Sequence, residues 1–199
     1  ELLWQVQRVS PIGISADGKT LFYKSTTPNV EKNDFDTKYY KISTSGGNYT
    51  EIEEDEVNVP DKNLSPNGKL KLFHKAVHIH DVLGKDVYKD LEESDVYVFN
   101  SLDYRHWDSF NNGSFNHVFY KDLETETETD IMAQQPYYSP QAPFGTDADY
   151  IWDPKGENIY YVSKKVAGTE YALSTNTDIY KFNLKSGKTE NITVDNKGY

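Results

Sequence analysis

Apolar and polar side chains alternate along this chain in short bursts, and most bursts are closed by a turn. In Thr20-Leu21-Phe22-Tyr23, Leu70-Lys71-Leu72-Phe73 and Asn158-Ile159-Tyr160-Tyr161-Val162 the period is close to two, as in a strand with one face buried. Read this way, the chain predicts strands near 8–14, 20–25, 37–43 and 49–52, near 59–64, 70–75, 117–123 and 128–132, and near 150–152, 158–163, 178–184 and 189–193. The first and second strands of each group are joined by one recurring turn: Ser15-Ala16-Asp17-Gly18-Lys19, Ser65-Pro66-Asn67-Gly68-Lys69 and Asp153-Pro154-Lys155-Gly156-Glu157. Glycine supplies the positive φ that such a turn needs, and Pro66 and Pro154 preset its entry. Ser45-Gly46-Gly47-Asn48 and Lys185-Ser186-Gly187-Lys188 predict hairpins between third and fourth strands.

A Tyr-Lys pair recurs in the third strand of each group, at Tyr40-Lys41, Tyr120-Lys121 and Tyr180-Lys181, lying 22, 52 and 24 residues beyond the turn glycine. A unit of about 50 residues built only of strands and turns is the signature of a β-propeller blade. The expected fold is therefore all-β, a partial β-propeller of about three four-stranded blades, divided near 1–55, 56–133 and 134–199. Irregular stretches at 28–36, 76–116 and 164–177 join second to third strands, and 133–149 joins a fourth strand to the next first strand. Alternate connections of an up-and-down sheet emerge at the same end, so these insertions are expected to crowd one face. Within the largest, residues 87–99 have a pattern that permits a short helix.

Composition narrows the functions. The 21 Lys and Arg against 32 Asp and Glu give a net charge of −11, which disfavours a nucleic-acid partner because phosphate binding needs a basic stripe. No apolar run reaches transmembrane length, so no membrane partner is expected. Cysteine is absent, which removes disulfides and thiolate chemistry. The chain begins at Glu1 rather than Met, in keeping with removal of a leader. Three blades would leave outer faces carrying Phe22 and Tyr40, or Tyr160 and Tyr180, so self-association into a homo-oligomer is expected.

Candidate chemistry is concentrated in Leu102-Asp103-Tyr104-Arg105-His106-Trp107-Asp108. Arg105 can clamp a carboxylate, Asp108 can hold His106 or an amine, and Trp107 can form an apolar wall. The same residues equally suit an Arg-Asp and His-Asp network that anchors a long insertion. Glu92 and Glu93 offer two acceptors for a substrate ammonium, or are solvated surface. His74, His78, His80 and Asp81 are metal-ligand types without the bracketing of a structural zinc site, so neither metal nor other cofactor is expected. The Pro-aromatic run Pro136-Tyr137-Tyr138-Ser139-Pro140-Gln141-Ala142-Pro143-Phe144-Gly145 is a recognition wall or a stiff connection. Gly13-Ile14-Ser15-Ala16-Asp17 approaches a nucleophile elbow but ends in Asp and belongs to a blade turn, so no catalytic residue is assigned.

Several segments together resemble the N-terminal propeller of prolyl oligopeptidase-type serine peptidases, of the acylaminoacyl-peptidase and dipeptidyl-peptidase-five branch. They are the start Leu3-Trp4-Gln5-Val6-Gln7-Arg8-Val9-Ser10, the blade turns, Tyr104-Arg105-His106-Trp107-Asp108, Ile151-Trp152-Asp153-Pro154-Lys155-Gly156 and Ser174-Thr175-Asn176-Thr177-Asp178-Ile179-Tyr180. The resemblance implies a non-catalytic segment of a periplasmic or secreted serine exopeptidase, one that gates and helps bind oligopeptides. It also implies a C-terminal α/β-hydrolase domain as partner, absent from this chain, with peptide substrate met through the parent enzyme. The blade turns are shared with TolB-like periplasmic propellers, so a protein-interaction scaffold is the alternative. Asp90-Leu91-Glu92-Glu93-Ser94-Asp95 does not reproduce the amine-gripping Glu pair of a related branch.

Overall fold

The computed structural model describes residues 2–102 and 104–196. They form a nearly all-β chain, an open partial β-propeller of antiparallel meander sheets, divided into two compact units at residues 1–61 and 62–199. No described helix is long and apolar enough to cross a membrane.

The first unit is one four-stranded sheet in chain order, β1 (Arg8–Ile14), β2 (Thr20–Asn29), β3 (Asp34–Ser43) and β4 (Thr50–Ile52). The β2–β3 ladder pairs Thr20 with Ser43 and continues without a break to Asn29 with Asp34. The stretch expected to be an irregular insertion at 28–36 is therefore a tight hairpin. Asn29 Nδ2 and Lys32 Nζ both donate to the Asp36 carboxylate, at 2.7 and 2.9 Å, which lets the strands run to the turn. Tyr23 and Tyr40 stack at 5.2 Å and Tyr49 meets Tyr40 edge-on at 5.4 Å, a cross-strand aromatic row. Phe22 and Tyr180, expected on bare outer rows, are buried, while Tyr40 and Tyr160 are half-buried.

The second unit begins with β5 (Leu70–His78), followed by a single helical turn α1 (Gly84–Val87) and a small hairpin, β6 (Arg105–His106) with β7 (Ser109–Phe110). Then come β8 (Ser114–Asp122) and β9 (Glu128–Asp130), which with β5 make a three-stranded sheet ordered β5-β8-β9. A further sheet runs in chain order through β10 (Tyr150–Trp152), β11 (Asn158–Ser163), β12 (Asp178–Asn183) and β13 (Lys188–Asn191), with helical turn α2 (Thr169–Leu173) between β11 and β12. The helix permitted over 87–99 is thus confined to its first residue, Val87, where the one turn of α-helix in that insertion ends. The strand expected at 59–64 is also missing, which leaves the β5-β8-β9 sheet one strand short of four. Pro60 has no N–H to donate, residues 62 and 63 turn, and only Leu64 makes a bridge, to Lys71.

The displaced segment instead stitches the unit together. The Asn63 carbonyl accepts from the Leu72 N–H at 2.8 Å and from Trp152 Nε1 at 2.9 Å, so one oxygen ties β5 to β10. Lys62 and Asn63 also bond the two oxygens of Asp147, at 3.0 and 3.1 Å. Around this stitch lies the core, with Leu72, Val118 and Met132 from one side and Trp152, Ile159, Tyr161 and Phe182 from the other. The alternation read in β11 holds, with Ile159, Tyr161 and Ser163 buried and the residues between them half-buried. His117, on the central strand β8, is wholly buried; Nδ1 meets Asp130 Oδ2 and Nε2 meets the Gln135 carbonyl, each at 2.8 Å.

The recurring turn closes the same way three times. Ser15 Oγ reaches Asp17 at 2.6 Å and accepts from the Thr20 N–H at 3.0 Å; Ser65 Oγ does likewise with Asn67 at 2.8 Å and Leu70 at 2.9 Å. At the third copy Asp153 takes over, its carboxylate accepting from the Glu157 N–H at 2.7 Å. Gly68 has φ +71°, with no atom near enough to obstruct a Cβ, so its requirement is purely conformational. We expect Gly68→Ala to cost about 1–2 kcal/mol of stability through the left-handed backbone alone. Gly68→Asn should cost less, as urea midpoints of the two variants would show.

Candidate functional site

The Pro-aromatic loop is fixed to the sheets along its length. The Ser139 N–H donates to the Asn116 carbonyl at 2.8 Å, Ser163 Oγ to the Tyr138 carbonyl at 2.9 Å, and the Gln141 N–H to Asp149 Oδ2 at 2.9 Å. Ser139-Pro140 and Ala142-Pro143 are cis peptide bonds. Tyr138 packs on Phe115 at 4.7 Å, and beyond it Phe144 stands out with 83% of its surface exposed. The run is both a stiff connection and a wall.

Opposite it rises the β6–β7 hairpin, in which Arg105 pairs with Phe110 and His106 with Ser109. Its footing is an aromatic stack made within the insertion, with Phe110 on Tyr97 at 5.1 Å and Tyr97 on Phe99 at 5.6 Å. A close approach secures the hairpin's base: Gly113, at φ +82°, accepts from the Ile79 N–H at 2.9 Å, and a Cβ there would run into the His80 carbonyl. The two-residue turn is Trp107-Asp108, and Trp107 holds φ +53° with 81% of its surface exposed. An indole-bearing residue at positive φ is an outlier at a place where hairpins use glycine or asparagine.

The hairpin, the wall and Tyr171 on α2 enclose a cleft of ≈ 540 Å³ lined by Arg105, His106, Trp107, Asp108, Tyr138 and Phe144 among others. His106 meets the Phe144 ring edge-on at 6.1 Å across it. Arg105 Nε donates to the Trp107 carbonyl at 2.8 Å, and the guanidinium lies 6.0 Å from the Phe110 ring centroid. Among the described residues no carboxylate forms an ion pair with Arg105 or His106; Asp103 lies outside them. Asp108 Oδ1 accepts from Ser109 Oγ at 3.2 Å. Among the described residues the contacts of the hairpin that bears Arg105 and His106 are to rings and backbone.

Three loops meet here, since Tyr171 also borders a cleft of ≈ 300 Å³ beside Phe99, Phe115 and Tyr137 and another of ≈ 550 Å³ beside Arg105, Gln141 and Lys164. Lys164 holds Tyr171 in place, Nζ donating to its carbonyl at 2.5 Å and standing 4.1 Å from its ring centroid. The expected gathering of the 76–116, 133–149 and 164–177 connections at one end of the second unit is what the sheets produce. Glu92 and Glu93 stay outside this meeting point. They are exposed and border a hollow formed by residues 90–94 of their own loop. The histidines separate as well: His74 bonds the Tyr150 hydroxyl at 3.0 Å, His78 bonds Asp81 at 2.9 Å, and His80 lies on Phe115 at 5.6 Å. Among the described residues no group of three His, Asp or Glu is placed to hold a metal.

No protein-family model matches the chain. Proteins named dipeptidyl-peptidase 5 do match it, at 29% identity over 246 residues in Porphyromonas gingivalis and 24% over 246 residues in Porphyromonas endodontalis. The similarity to dipeptidyl-peptidase 5 takes in the whole chain. The chain spans about a third of those relatives, 36% and 35% of their lengths. A third dipeptidyl-peptidase 5, from Schizosaccharomyces pombe, is 28% identical over 113 residues, 51% of this chain. Among solved structures, the β-propeller domain of the Trilobed protease from Pyrococcus furiosus aligns with a TM-score of 0.32 at 16% identity over 93% of this chain and 43% of its own. TolB from Acinetobacter baumannii gives 0.34 at 12% over 94% of this chain and 32% of its own. The Pyrococcus horikoshii acylaminoacyl peptidase gives 0.31 at 12% over 95% and 25%.

Tyr171, Lys164 and Lys165 are not among the site residues expected from the sequence. Lys165 Nζ donates to Gln135 Oε1 at 2.6 Å and to the Tyr161 hydroxyl at 3.1 Å, and sits 3.9 Å from the Tyr180 ring centroid. No carboxylate among the described residues pairs with it, and burial pulls its pKa from the ordinary 10.5 down to about 8. Burial also pushes the Tyr180 hydroxyl up to about 12 and the Tyr161 hydroxyl still higher.

Two outcomes follow from this geometry. Trp107→Gly relieves the left-handed backbone while removing a ring that is mostly in water, so the variant should be about 1 kcal/mol more stable than the parent sequence by urea unfolding. Between pH 8 and 10.5 the unfolded chain keeps a proton on Lys165 that the folded chain has released, so this group makes stability rise with pH across that window. The difference in unfolding midpoint between the natural chain and Lys165→Met should therefore shift in favour of the natural chain from pH 8 to pH 10, and a constant difference would contradict it.

Proposed function

We propose that this chain is the non-catalytic propeller segment of an exported serine exopeptidase of the dipeptidyl-peptidase or acylaminoacyl-peptidase kind, and that its loop face gates and helps bind oligopeptides. The observation that carries the reading is the coincidence of two things. The chain is similar throughout to dipeptidyl-peptidase 5 proteins of which it spans about a third, and the Arg105–Asp108 hairpin that marks the resemblance lines an aromatic cleft where three insertions meet. A face of that kind suits a peptide, which offers side chains to rings and carbonyl or carboxylate oxygens to a guanidinium. Blades at 1–55, 56–133 and 134–199 and a periplasmic or secreted location belong to the same proposal. In this reading bond cleavage is the work of an α/β-hydrolase domain, and the segment determines which peptides arrive in front of it.

The sequence downstream of Tyr199 in the parent gene decides between the peptidase, with a Gly-x-Ser-x-Gly elbow followed by Asp and His, and a scaffold made of further blades. In a parent with that elbow, Arg105→Ala should lower kcat/KM on short peptide substrates by about tenfold, the cost of one charge-assisted hydrogen bond, with an unchanged melting temperature. Unaltered kinetics would remove the substrate-binding role.

A further inference from the structure

The cleft beside Arg105 carries two features that the fold does not use. Trp107 is held at φ +53° with four-fifths of its surface in water, and Phe144 is equally bare at the end of a loop fixed by the Gln141 and Gly145 hydrogen bonds. Neither ring adds to the core, and the first is set where glycine would be easier. Bare rings on rigid supports serve as anchors for a ligand because little entropy is lost on binding. The cleft also holds one of the two arginines in the chain, although lysine supplies the other 19 of its 21 cations. Arg105 Nε is tied to the Trp107 carbonyl, which orients the guanidinium plane and leaves its two Nη groups without a carboxylate among the described residues.

We propose that this cleft is a subsite for the C-terminal aromatic residue of a peptide, its ring lying against Trp107 and Phe144 and its terminal carboxylate bound by the Nη groups of Arg105. A planar fork matches a carboxylate two-pronged, as a lysine would not. The net charge of −11 makes the molecule as a whole repel anions, so an anionic group binds only where a fixed cation is presented. Asp108 puts one negative charge on the same lining, which suits a single carboxylate and disfavours a phosphate dianion. The volume of ≈ 540 Å³ lies in the range of small-ligand sites, and Tyr171, held by Lys164, forms its inner wall. The ligand class rests on the reading that the loop face meets peptides, but the binding itself needs no hydrolase domain.

The test follows the Trp107 indole N–H resonance of the ¹⁵N-labelled chain, assigned with Trp107→Phe, during titration with N-acetyl-phenylalanine, N-acetyl-phenylalanine amide and N-acetyl-alanine. A saturable shift is expected with the first ligand, and binding at least about tenfold weaker with the amide, with N-acetyl-alanine and in Arg105→Lys. Phe144→Ala should weaken the first ligand several-fold, and Trp107→Gly, which leaves the fold intact, should abolish the difference between phenylalanine and alanine ligands in isothermal titration. No shift with N-acetyl-phenylalanine at millimolar concentration overturns the subsite. Equal affinity for acid and amide overturns the carboxylate role of Arg105. Either result leaves the peptidase reading untouched, since that is decided by turnover in the parent, and a parent without peptidase activity leaves a saturable Trp107 shift standing.

Discussion

The imidazole of His117 sits out of reach of water between the Gln135 carbonyl and the Asp130 carboxylate, each at 2.8 Å. A carbonyl can only accept, so the hydrogen of that contact is on Nε2, and Nδ1 faces the carboxylate. Losing either partner would strand a polar atom inside the unit, at a cost of about 1–3 kcal/mol. Asp130 is fixed further by accepting from the Met132 N–H at 2.8 Å, which ends β9 and starts the Pro-aromatic connection. Gln135 is fixed by its backbone to His117 and by its side chain to Lys165. One buried ring therefore sets where the wall of the cleft leaves one sheet and where the loop bearing Tyr171 leaves the next.

That arrangement explains how a face of long loops stays defined. Loops on a propeller are ordinarily the mobile part. Here each insertion has a footing of its own, and two of them are tied together: His117 and Asn116 hold residues 133–149, the Tyr97, Phe99 and Phe110 stack holds the 105–110 hairpin, and Lys164 and Lys165 hold the segment carrying α2, the second by bonding Gln135 of the 133–149 connection. The cleft lies where the three footings meet, and its lining is set by supports outside it.

Local chemistry was legible in the sequence, and contact between distant segments was not. The Ser-x-Asp-Gly-Lys turns could be read because the bonds that close them, from Ser15 to Thr20 or from Ser65 to Leu70, lie within five residues. Strands β1, β10 and β11 matched their expected bounds because alternation and flanking turns agree there. Residues 59–64 misled because alternation suggested a strand, whereas Pro60 withholds a donor and the Asn63 carbonyl is taken by Trp152, 89 positions away. The bond from Arg105 Nε to the Trp107 carbonyl had no signal in the sequence, because it depends on the hairpin turn bringing that oxygen back over the strand. Tyr171 carried no local signal and Phe144 was legible only as part of the Pro-aromatic run, since their importance lies in facing the same space from different loops.

Apolar exposure in this chain falls into two kinds with different physical meaning. Ile151 is a strand residue whose exposure follows from alternation, with Tyr150 and Trp152 buried on either side of it, because a sheet turns every second side chain away from its partner layer. Trp107 and Phe144 are not on alternating strands; one is at a hairpin tip and the other at a loop end, where polar residues are the usual choice. Burying either ring in the free protein would take a change of backbone, since the first is fixed by the two-residue turn and the second by the Gln141 and Asp149 bonds. Their exposure is thus a property of the supporting backbone, and the cleft is already formed before anything enters it. A site built in this way loses little conformational freedom on binding, and a modest contact area on a small ligand is then enough to discriminate.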